Sequence, residues 1–211
     1  MQFDWTNPYP TVHSPVFARN VVATSEPLGA SAGLRMLMRG GNAVDAAIAT
    51  AAAMTIVEPC SNGLGSDLFA IVWDGKSLQG LNASGVAPAA WNPGYFRRKH
   101  GGKMPLRGWD AVTTPGAVAG WAALSQRFGK LPFADLMQPA IELAERGYAV
   151  GPVCADKWMR AVPLMQEQPG FAQAFMPRGR APGTGERFVF EEAGATLRQI
   201  AVSRGDAFYR G

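Results

Sequence analysis

Cysteine and histidine are both rare in this chain. Its 211 residues include two cysteines, Cys60 and Cys154, and two histidines, His13 and His100. Two cysteines cannot form a disulfide framework, and neither lies at the spacing of a metal-binding motif. Both histidines lie in loop-like sequence, which disfavours a Ser-His-Asp or Cys-His site. We therefore expect no metal, no cofactor, and a reduced, cytoplasmic setting.

Long apolar runs are also absent. No segment approaches the roughly 20 uninterrupted apolar residues that a membrane helix needs. Residues 1–20 (MQFDWTNPYPTVHSPVFARN) lack the basic start and apolar core of a signal peptide. These two absences predict a chain that does not enter a membrane.

Acidic residues are slightly outnumbered by basic ones. The chain has 20 Lys and Arg against 16 Asp and Glu, a net charge of +4. The basic residues concentrate in residues 97–100 (RRKH) and 178–180 (RGR). Nucleic-acid binding would need a wider basic surface with interleaved aromatic motifs. We therefore interpret both runs as solvated surface and expect no nucleic-acid partner.

The remaining composition is that of a globular protein, with 47% hydrophobic and 17% charged residues. Helices are predicted over residues 27–39, 117–128, 133–146 and 191–202 from apolar spacing and from Pro or Gly at their ends. Strands are predicted over residues 16–25, 68–73 and 77–83, with Asp74-Gly75 as a hairpin turn. Residues 86–109 and 151–185 are predicted to be loops, the second with short helical pieces. The class is α+β, with no repeat and no independent second domain within residues 1–211.

Residues 39–67 (RGGNAVDAAIATAAAMTIVEPCSNGLGSD) are the most informative segment. A Gly-Gly-Asn turn precedes an Ala-rich helix whose apolar residues cover every side, which predicts burial all round. The helix ends at Glu58-Pro59 and leads into a glycine-bearing polar loop. Such a loop at the end of a buried helix is a plausible position for a site.

The blocks GGNAVDAAIAT and EPCSNGLGSD resemble the N-terminal half of the gamma-glutamyltransferase family. Three further blocks agree in the family's order: VTTPGAVAGW, FGKLPFADLMQPAIELAERGYAVG and ATLRQIAVSRGDAFYRG. The resemblance implies an N-terminal nucleophile hydrolase with the layered αββα fold, incomplete in this chain. Few strands are predicted, and so small a sheet would leave bare edges. Both arguments predict that residues 1–211 are part of a large subunit.

The resemblance also implies where the catalytic group lies. The family's precursor continues beyond the equivalent of Gly211, cleaves itself, and begins its second half with a catalytic threonine. That nucleophile uses its own α-amino group as the base and must stand at a chain terminus. Thr113-Thr114 resembles the family's Thr-Thr pair, but the following Pro115-Gly116 matches a turn before a large-subunit helix. We therefore expect no catalytic residue in this chain and a C-terminal small subunit as its partner.

Two other motifs invite a functional interpretation. Cys60 in EPCSNG has no candidate base near it in sequence, so an inert thiol is favoured over a nucleophile. Gly63-Leu64-Gly65 precedes a strand and lacks a third glycine at the nucleotide-binding spacing. A tight chain reversal is the favoured interpretation, with Ser66 and Asp67 turning a polar face toward the pocket.

The predicted substrate-binding residues are Asn82, Ser84 and Arg107. Family members that use glutathione carry an Arg in a segment like NAREVAP, where it binds the α-carboxylate of the donor. Here residues 82–88 read NASGVAP, with Ser84 at that position. A hydroxyl cannot copy the bidentate, charge-assisted contact of a guanidinium. Either the donor is not a standard γ-glutamyl compound, or another cation takes over, with Arg107 the first candidate and Arg97 and Arg98 weaker ones.

Three functions follow from these residues. The first is amide acyl transfer or hydrolysis, on glutathione or a related γ-glutamyl compound, by a gamma-glutamyltransferase-like enzyme. The second is a cephalosporin- or glutaryl-type acylase acting on another amide. The third, from a different class, is a non-catalytic binding or assembly module. As part of an enzyme this chain alone is expected to be inactive, whereas a binding or assembly module would work as these 211 residues.

Overall fold

The computed structural model describes residues 15–211, so that His13 lies outside the described residues. The helices, in chain order, are α1 Pro27–Met38, α2 Ala43–Val57, α3 Pro93–His100, α4 Ala117–Phe128, α5 Phe133–Arg146, α6 Pro152–Met165, α7 Phe171–Phe175, α8 Glu191–Ser203 and α9 Asp206–Arg210. The strands are β1 Leu68–Trp73, β2 Leu78–Ala83, β3 Tyr148–Ala149 and β4 Arg187–Phe188. A short 3₁₀ turn covers Trp109–Ala111. The predicted α+β class is confirmed.

Helix α2 is the centre of the fold and begins with a capping box. The Asn42 side chain accepts from the N–H groups of Val44 and Asp45, and the Asp45 carboxylate accepts from the Asn42 N–H at 2.9 Å. The helix packs against α1, α5 and α4. Only Ala43 and Ala47 are exposed along it. The predicted burial is therefore confirmed, apart from this narrow strip of small side chains.

Asp45 also joins α2 to a distant turn. Its carboxylate accepts from the main-chain N–H groups of Lys130 at 3.1 Å and Leu131 at 3.3 Å, in the connection between α4 and α5. The residue is fully buried. A buried carboxylate needs such donors, which explains why an acidic residue stands in the otherwise apolar segment GGNAVDAA.

The hydrophobic core lies among α2, α4, α5 and α8. Its largest fully buried side chains are Met36, Ile48, Ile56, Val57, Val118, Trp121, Leu136, Met137, Ile141, Phe188, Leu197 and Ile200. Helix α5 packs on α2 with one face and on α8 with another. The inward direction predicted for Leu136 and Ile141 is confirmed, whereas Leu143 is half-buried.

The hairpin of β1 and β2 forms as predicted. Its antiparallel register runs from Leu68 opposite Ala83 to Trp73 opposite Leu78. The Asp74 carboxylate accepts from the N–H groups of Lys76 and Ser77 and so fixes the turn. One face packs on α4. Large side chains on the other face, Phe69, Ile71 and Trp73, are 68%, 80% and 63% exposed.

Three sequence predictions were wrong. Residues 16–25 form no strand, because β-branched residues extend into a strand only where a neighbouring strand supplies ladder partners. Residues 86–109 include α3, which the Asn92 side chain caps by accepting from the Tyr95 N–H. Residues 152–165 form a 14-residue helix, since Pro152 occupies a first-turn position and Trp158 packs into the core.

None of the helices within residues 15–211 combines the length and the apolar character that a bilayer span requires.

Candidate functional site

A groove of about 660 Å³ lies beside Ser84, at the end of β2. Its walls are the 81–86 segment, the 114–116 turn, one face of α4, and Tyr209 from α9. The Asn82 side-chain oxygen accepts from the Ser84 N–H at 2.9 Å, directly after the strand. The structure therefore brings Asn82 and Ser84 together on one groove, as expected.

The Ser84 segment is held against the 113–116 segment. The Thr113 hydroxyl donates to the Ser84 carbonyl at 3.0 Å, and the Thr114 N–H donates to the Val86 carbonyl at 3.1 Å. A Cβ on Gly85 would lie 1.7 Å from the Thr114 carbonyl oxygen. Thr113 through its hydroxyl and Thr114 through its main chain therefore hold the Ser84 segment in place, which is consistent with a structural interpretation of this pair.

The GLGSD loop is a compact turn between α2 and β1. The Ser66 hydroxyl accepts from the Gly63 N–H at 2.9 Å, and the Ser66 N–H donates to the Gly63 carbonyl at 3.1 Å. The Ser66 carbonyl then accepts from the Gly116 and Ala117 N–H groups, the first donors of α4. These helix-terminal donors are therefore satisfied by protein. The structure supports the predicted chain reversal.

A second, larger groove of about 770 Å³ lies along the exposed strip of α2. Ser66 and Asp67 line it, and so does Glu58, which is 8% exposed. The Ser25 hydroxyl donates to the Glu58 carboxylate at 2.7 Å. At the bottom of this groove Thr50 Oγ1 and Trp121 Nε1 are buried without a hydrogen-bond partner among the described residues.

Arg107 lies elsewhere. It lines a separate pocket of about 240 Å³ whose other walls are mainly apolar, including Trp158, Phe171 and Phe175. Within the part of the chain that the structure describes, no charged side chain lines the groove beside Ser84. The structure therefore does not bring Arg107 to Ser84, and its role as the replacement cation stays a prediction.

The two basic runs are partly neutralised by acidic residues. Lys99 and His100 each contact Asp110 at 2.7 Å, and these contacts, with Lys99 the strongest, hold the pKa of Asp110 well below its usual range. In the second run Arg180 binds Glu186 through both carboxylate oxygens, at 2.9 and 2.6 Å. The solvated-surface interpretation agrees with these ion pairs.

Tyr209 is a groove residue that the sequence did not indicate. Its hydroxyl donates to the Pro115 carbonyl at 2.9 Å and accepts from the Ala119 N–H at 3.0 Å. It thereby supports the turn that contacts Ser84. The partners are 94 residues apart, and no spacing rule links an aromatic in AFYRG to a Pro-Gly turn. The only available signal was that this block recurs in the family pattern.

Comparison with known families agrees with this arrangement of loops and helices. Residues 29–211 match the family model described as gamma-glutamyltranspeptidase. The chain belongs to the gamma-glutamyltranspeptidase family. It corresponds to a large-subunit portion of these N-terminal nucleophile hydrolases, as the sequence resemblance implied.

Relatives of this chain within the family are named for different activities. A glutathione hydrolase-like proenzyme of Bacillus subtilis is 36% identical over 204 residues, covering 94% of this chain. An acylase proenzyme of a Pseudomonas strain is also 36% identical over 204 residues, covering 92% of this chain. The crystal structure of cephalosporin acylase from Bacillus halodurans covers the whole chain at 45% identity with a TM-score of 0.93.

The chain spans less than half the length of these gamma-glutamyltranspeptidase relatives. It covers 38% of the glutathione hydrolase-like protein, 37% of the Pseudomonas acylase and 41% of the cephalosporin acylase chain. The Bacillus subtilis protein and the Pseudomonas acylase are both named as proenzymes.

Proposed function

We propose that the full-length protein is an amide hydrolase or acyltransferase. In this proposal, residues 1–211 do not bind a carboxylate group of the acyl donor. The observation that carries the proposal is the uncharged lining of the groove beside Ser84 in the described residues. Asn82 and Ser84 offer neutral hydrogen-bonding groups there. An amide, hydroxyl or unsubstituted acyl group fits such a lining better than a carboxylate does.

The proposed nucleophile is a threonine at the start of a C-terminal small subunit, which this family membership supports. The larger groove is the proposed docking position of that subunit. It is the larger of the two grooves, and the polar side chains of Glu58, Ser66 and Asp67 line it. The exposed face of β1 would be covered in the same assembly, because a two-stranded hairpin is only marginally stable alone.

Position 84 has a serine where the family resemblance implies an arginine. We therefore expect weaker binding of donors that carry a carboxylate. A hydrogen bond to a charged group contributes about 1.5–3 kcal/mol. The loss of two such bonds corresponds to a decrease of roughly a hundredfold or more in binding affinity. Similarity to the cephalosporin acylase at 45% identity supports an acylase-type donor over glutathione.

Kinetics on three anilides of equal chain length test this proposal. The full-length protein is assayed on γ-glutamyl, glutaryl and pentanoyl p-nitroanilides, which differ only in the amine and carboxylate groups. Ser84→Arg should raise kcat/KM for the two carboxylate donors by about tenfold to a hundredfold, with no gain on the pentanoyl donor. Val202→Arg, which adds the same charge at an 86% exposed position of α8, is the matched control.

Two results would contradict the proposal. One is a wild-type kcat/KM for the γ-glutamyl donor that equals that of Ser84→Arg. The other is a loss of γ-glutamyl activity in Arg107→Ala with the pentanoyl rate unchanged, which would make Arg107 the replacement cation.

Self-cleavage separates an enzyme from a non-catalytic module. The purified full-length protein should convert to two fragments, the smaller beginning with Thr in N-terminal sequencing. A chain that stays intact and hydrolyses none of the three anilides would favour the binding or assembly module.

A further inference from the structure

The two cysteines of the chain, 94 residues apart in sequence, meet in the fold. Their Sγ atoms are 3.8 Å apart. Cys60 is exposed in the loop after α2, whereas Cys154 is buried in the first turn of α6. A disulfide needs its sulfurs about 2.05 Å apart, so closing the bond requires a movement of less than about 2 Å.

A second contact already holds the same two elements together. Lys157, one helical turn after Cys154 on α6, forms an ion pair of 3.3 Å with Glu58, two residues before Cys60. The end of α2 and the start of α6 are therefore positioned by an interaction that does not involve sulfur. A bond between Cys60 and Cys154 would reinforce this contact without rearranging the fold.

The surroundings of the two thiols give them different chemical roles. Burial, followed by the nearness of Cys60, raises the pKa of Cys154 to about 12. The Cys154 thiolate is therefore scarce, so that the exposed Cys60 is the first of the two to react. Cys60 also lines the 240 Å³ pocket with Arg107 and is open to small molecules there.

We propose that Cys60 is a site of reversible modification by low-molecular-weight disulfides and that Cys154 resolves the adduct into a Cys60–Cys154 disulfide. The Cys60 thiolate attacks one sulfur of the external disulfide, forming a mixed disulfide and releasing one thiolate. Cys154 gives up its proton to water, attacks Cys60 Sγ, and displaces the second thiolate. Two protein thiols are thereby oxidised and one external disulfide is reduced to two thiols. In reducing compartments such pairs are transient and redox-sensing.

The charge of the disulfide is part of the proposal. Arg107 forms no ion pair among the described residues and lies on the same pocket as Cys60. An anionic disulfide should therefore react at Cys60 faster than a cationic one. An exposed charge pair contributes about 0.2–1 kcal/mol, so that the advantage should be up to about fivefold.

Peptide mapping of the full-length protein tests the two-step scheme. The protein is treated with dithiodipropionate, the remaining thiols are blocked with N-ethylmaleimide, and digests are analysed by mass spectrometry. In the wild type we expect a linked Cys60–Cys154 peptide that dithiothreitol reverses. Cys154→Ser should accumulate the mixed disulfide at Cys60, and Cys60→Ser should leave Cys154 unmodified.

Because the linked peptide is sought in the wild type, this central result does not depend on how well either variant folds. The proposal is overturned if Cys60 stays unmodified, if its adduct persists in the wild type without a linked peptide, or if Cys154 reacts equally in Cys60→Ser. Comparison with cystamine, a cation of similar length, tests the charge effect. The ratio of the anionic to the cationic rate should fall in Arg107→Ala and stay at the wild-type value in Arg210→Ala; a ratio that Arg107→Ala leaves unchanged would refute the role of Arg107, and the ratio cancels the different leaving-group reactivity of the two disulfides.

Discussion

The Thr113 hydroxyl donates a hydrogen bond of 3.0 Å to the main-chain carbonyl of Ser84. This contact joins the segment that carries the proposed donor-binding residue to the turn that begins α4. The position of Ser84 therefore depends on a residue 29 positions away in the chain, and substitutions at either end of the contact should act on the groove.

Thr113→Val removes this hydrogen bond while keeping the side-chain shape. A neutral hydrogen bond contributes about 0.5–1.5 kcal/mol, so we expect a loss of about 1 kcal/mol in the free energy of unfolding. The anilide kcat/KM should fall because the Ser84 segment is less fixed. Thr196→Val is the control, since its hydroxyl donates only to the Glu192 carbonyl within α8. If Thr196→Val lowered kcat/KM as much as Thr113→Val does, Thr113 would have no specific role in positioning the Ser84 segment.

Gly85→Ala should damage the protein far more than Gly75→Ala. Both glycines have a positive φ, 75° and 95°, so both substitutions carry the cost of about 1–2 kcal/mol for a left-handed conformation. Only the Cβ at position 85 meets backbone, 1.7 Å from the Thr114 carbonyl oxygen, while that at position 75 has open space.

Urea unfolding of the two glycine variants measures this difference. We expect Gly85→Ala to lose at least about 4 kcal/mol in the free energy of unfolding, the range of severe backbone clashes, or to fail to fold. Equal losses in the free energy of unfolding in both variants would show that the Ser84 segment can move away from the 113–116 segment at little cost in free energy.

Asp45→Ala should be strongly destabilising although Asp45 lies far from the groove beside Ser84. It leaves the N–H groups of Asn42, Lys130 and Leu131 without their acceptor. Each hydrogen bond to a charged group contributes about 1.5–3 kcal/mol, and we expect a total loss of about 3 kcal/mol or more in thermal or urea unfolding. Asp206→Ala, at an exposed i,i+4 ion pair with Arg210, should change stability by less than about 0.5 kcal/mol. Similar losses of stability in Asp45→Ala and Asp206→Ala would argue against a stabilising role for the Asp45 hydrogen bonds.

Glu186 should make the 178–186 loop sensitive to acid. Arg180, then the Gly183 N–H, lowers the pKa of Glu186 from 4.5 to about 2. Since the pKa in the folded state is the lower one, the stabilisation is complete above pH 4.5 and is lost as pH falls through about 2.

Amide hydrogen-exchange protection factors within this loop report the effect. They should decrease over that pH window in the wild type and be low at every pH in Glu186→Gln. The control is Glu167→Gln, at an exposed position outside the loop. Wild-type protection factors that stay constant down to pH 2 would contradict the stabilising role of the Glu186 carboxylate.

Elements with strong local signals were predicted closely. The bounds of α4 and α5 agree with the sequence interpretation, because each has a regular apolar spacing and Pro or Gly at an end. Those of β1 agree because a short apolar run is followed by the Asp74-Gly75 turn. Helix α6 was missed since its two prolines, Pro152 and Pro163, suggested a loop. Its stability comes from packing, as the burial of Trp158 shows.

The amino-acid sequence by itself determined the family, the α+β class and the buried helix α2, and it shows a serine at position 84, where the family resemblance implies an arginine. These depend on residue identity and on short-range spacing, which a single chain displays directly. Only the tertiary structure decided that Asn82 and Ser84 share an uncharged groove with Tyr209, that Arg107 lies on another pocket, and that Cys60 meets Cys154. Those relationships join residues that are tens of positions apart, and such distances are set by how the helices pack, which no local pattern encodes.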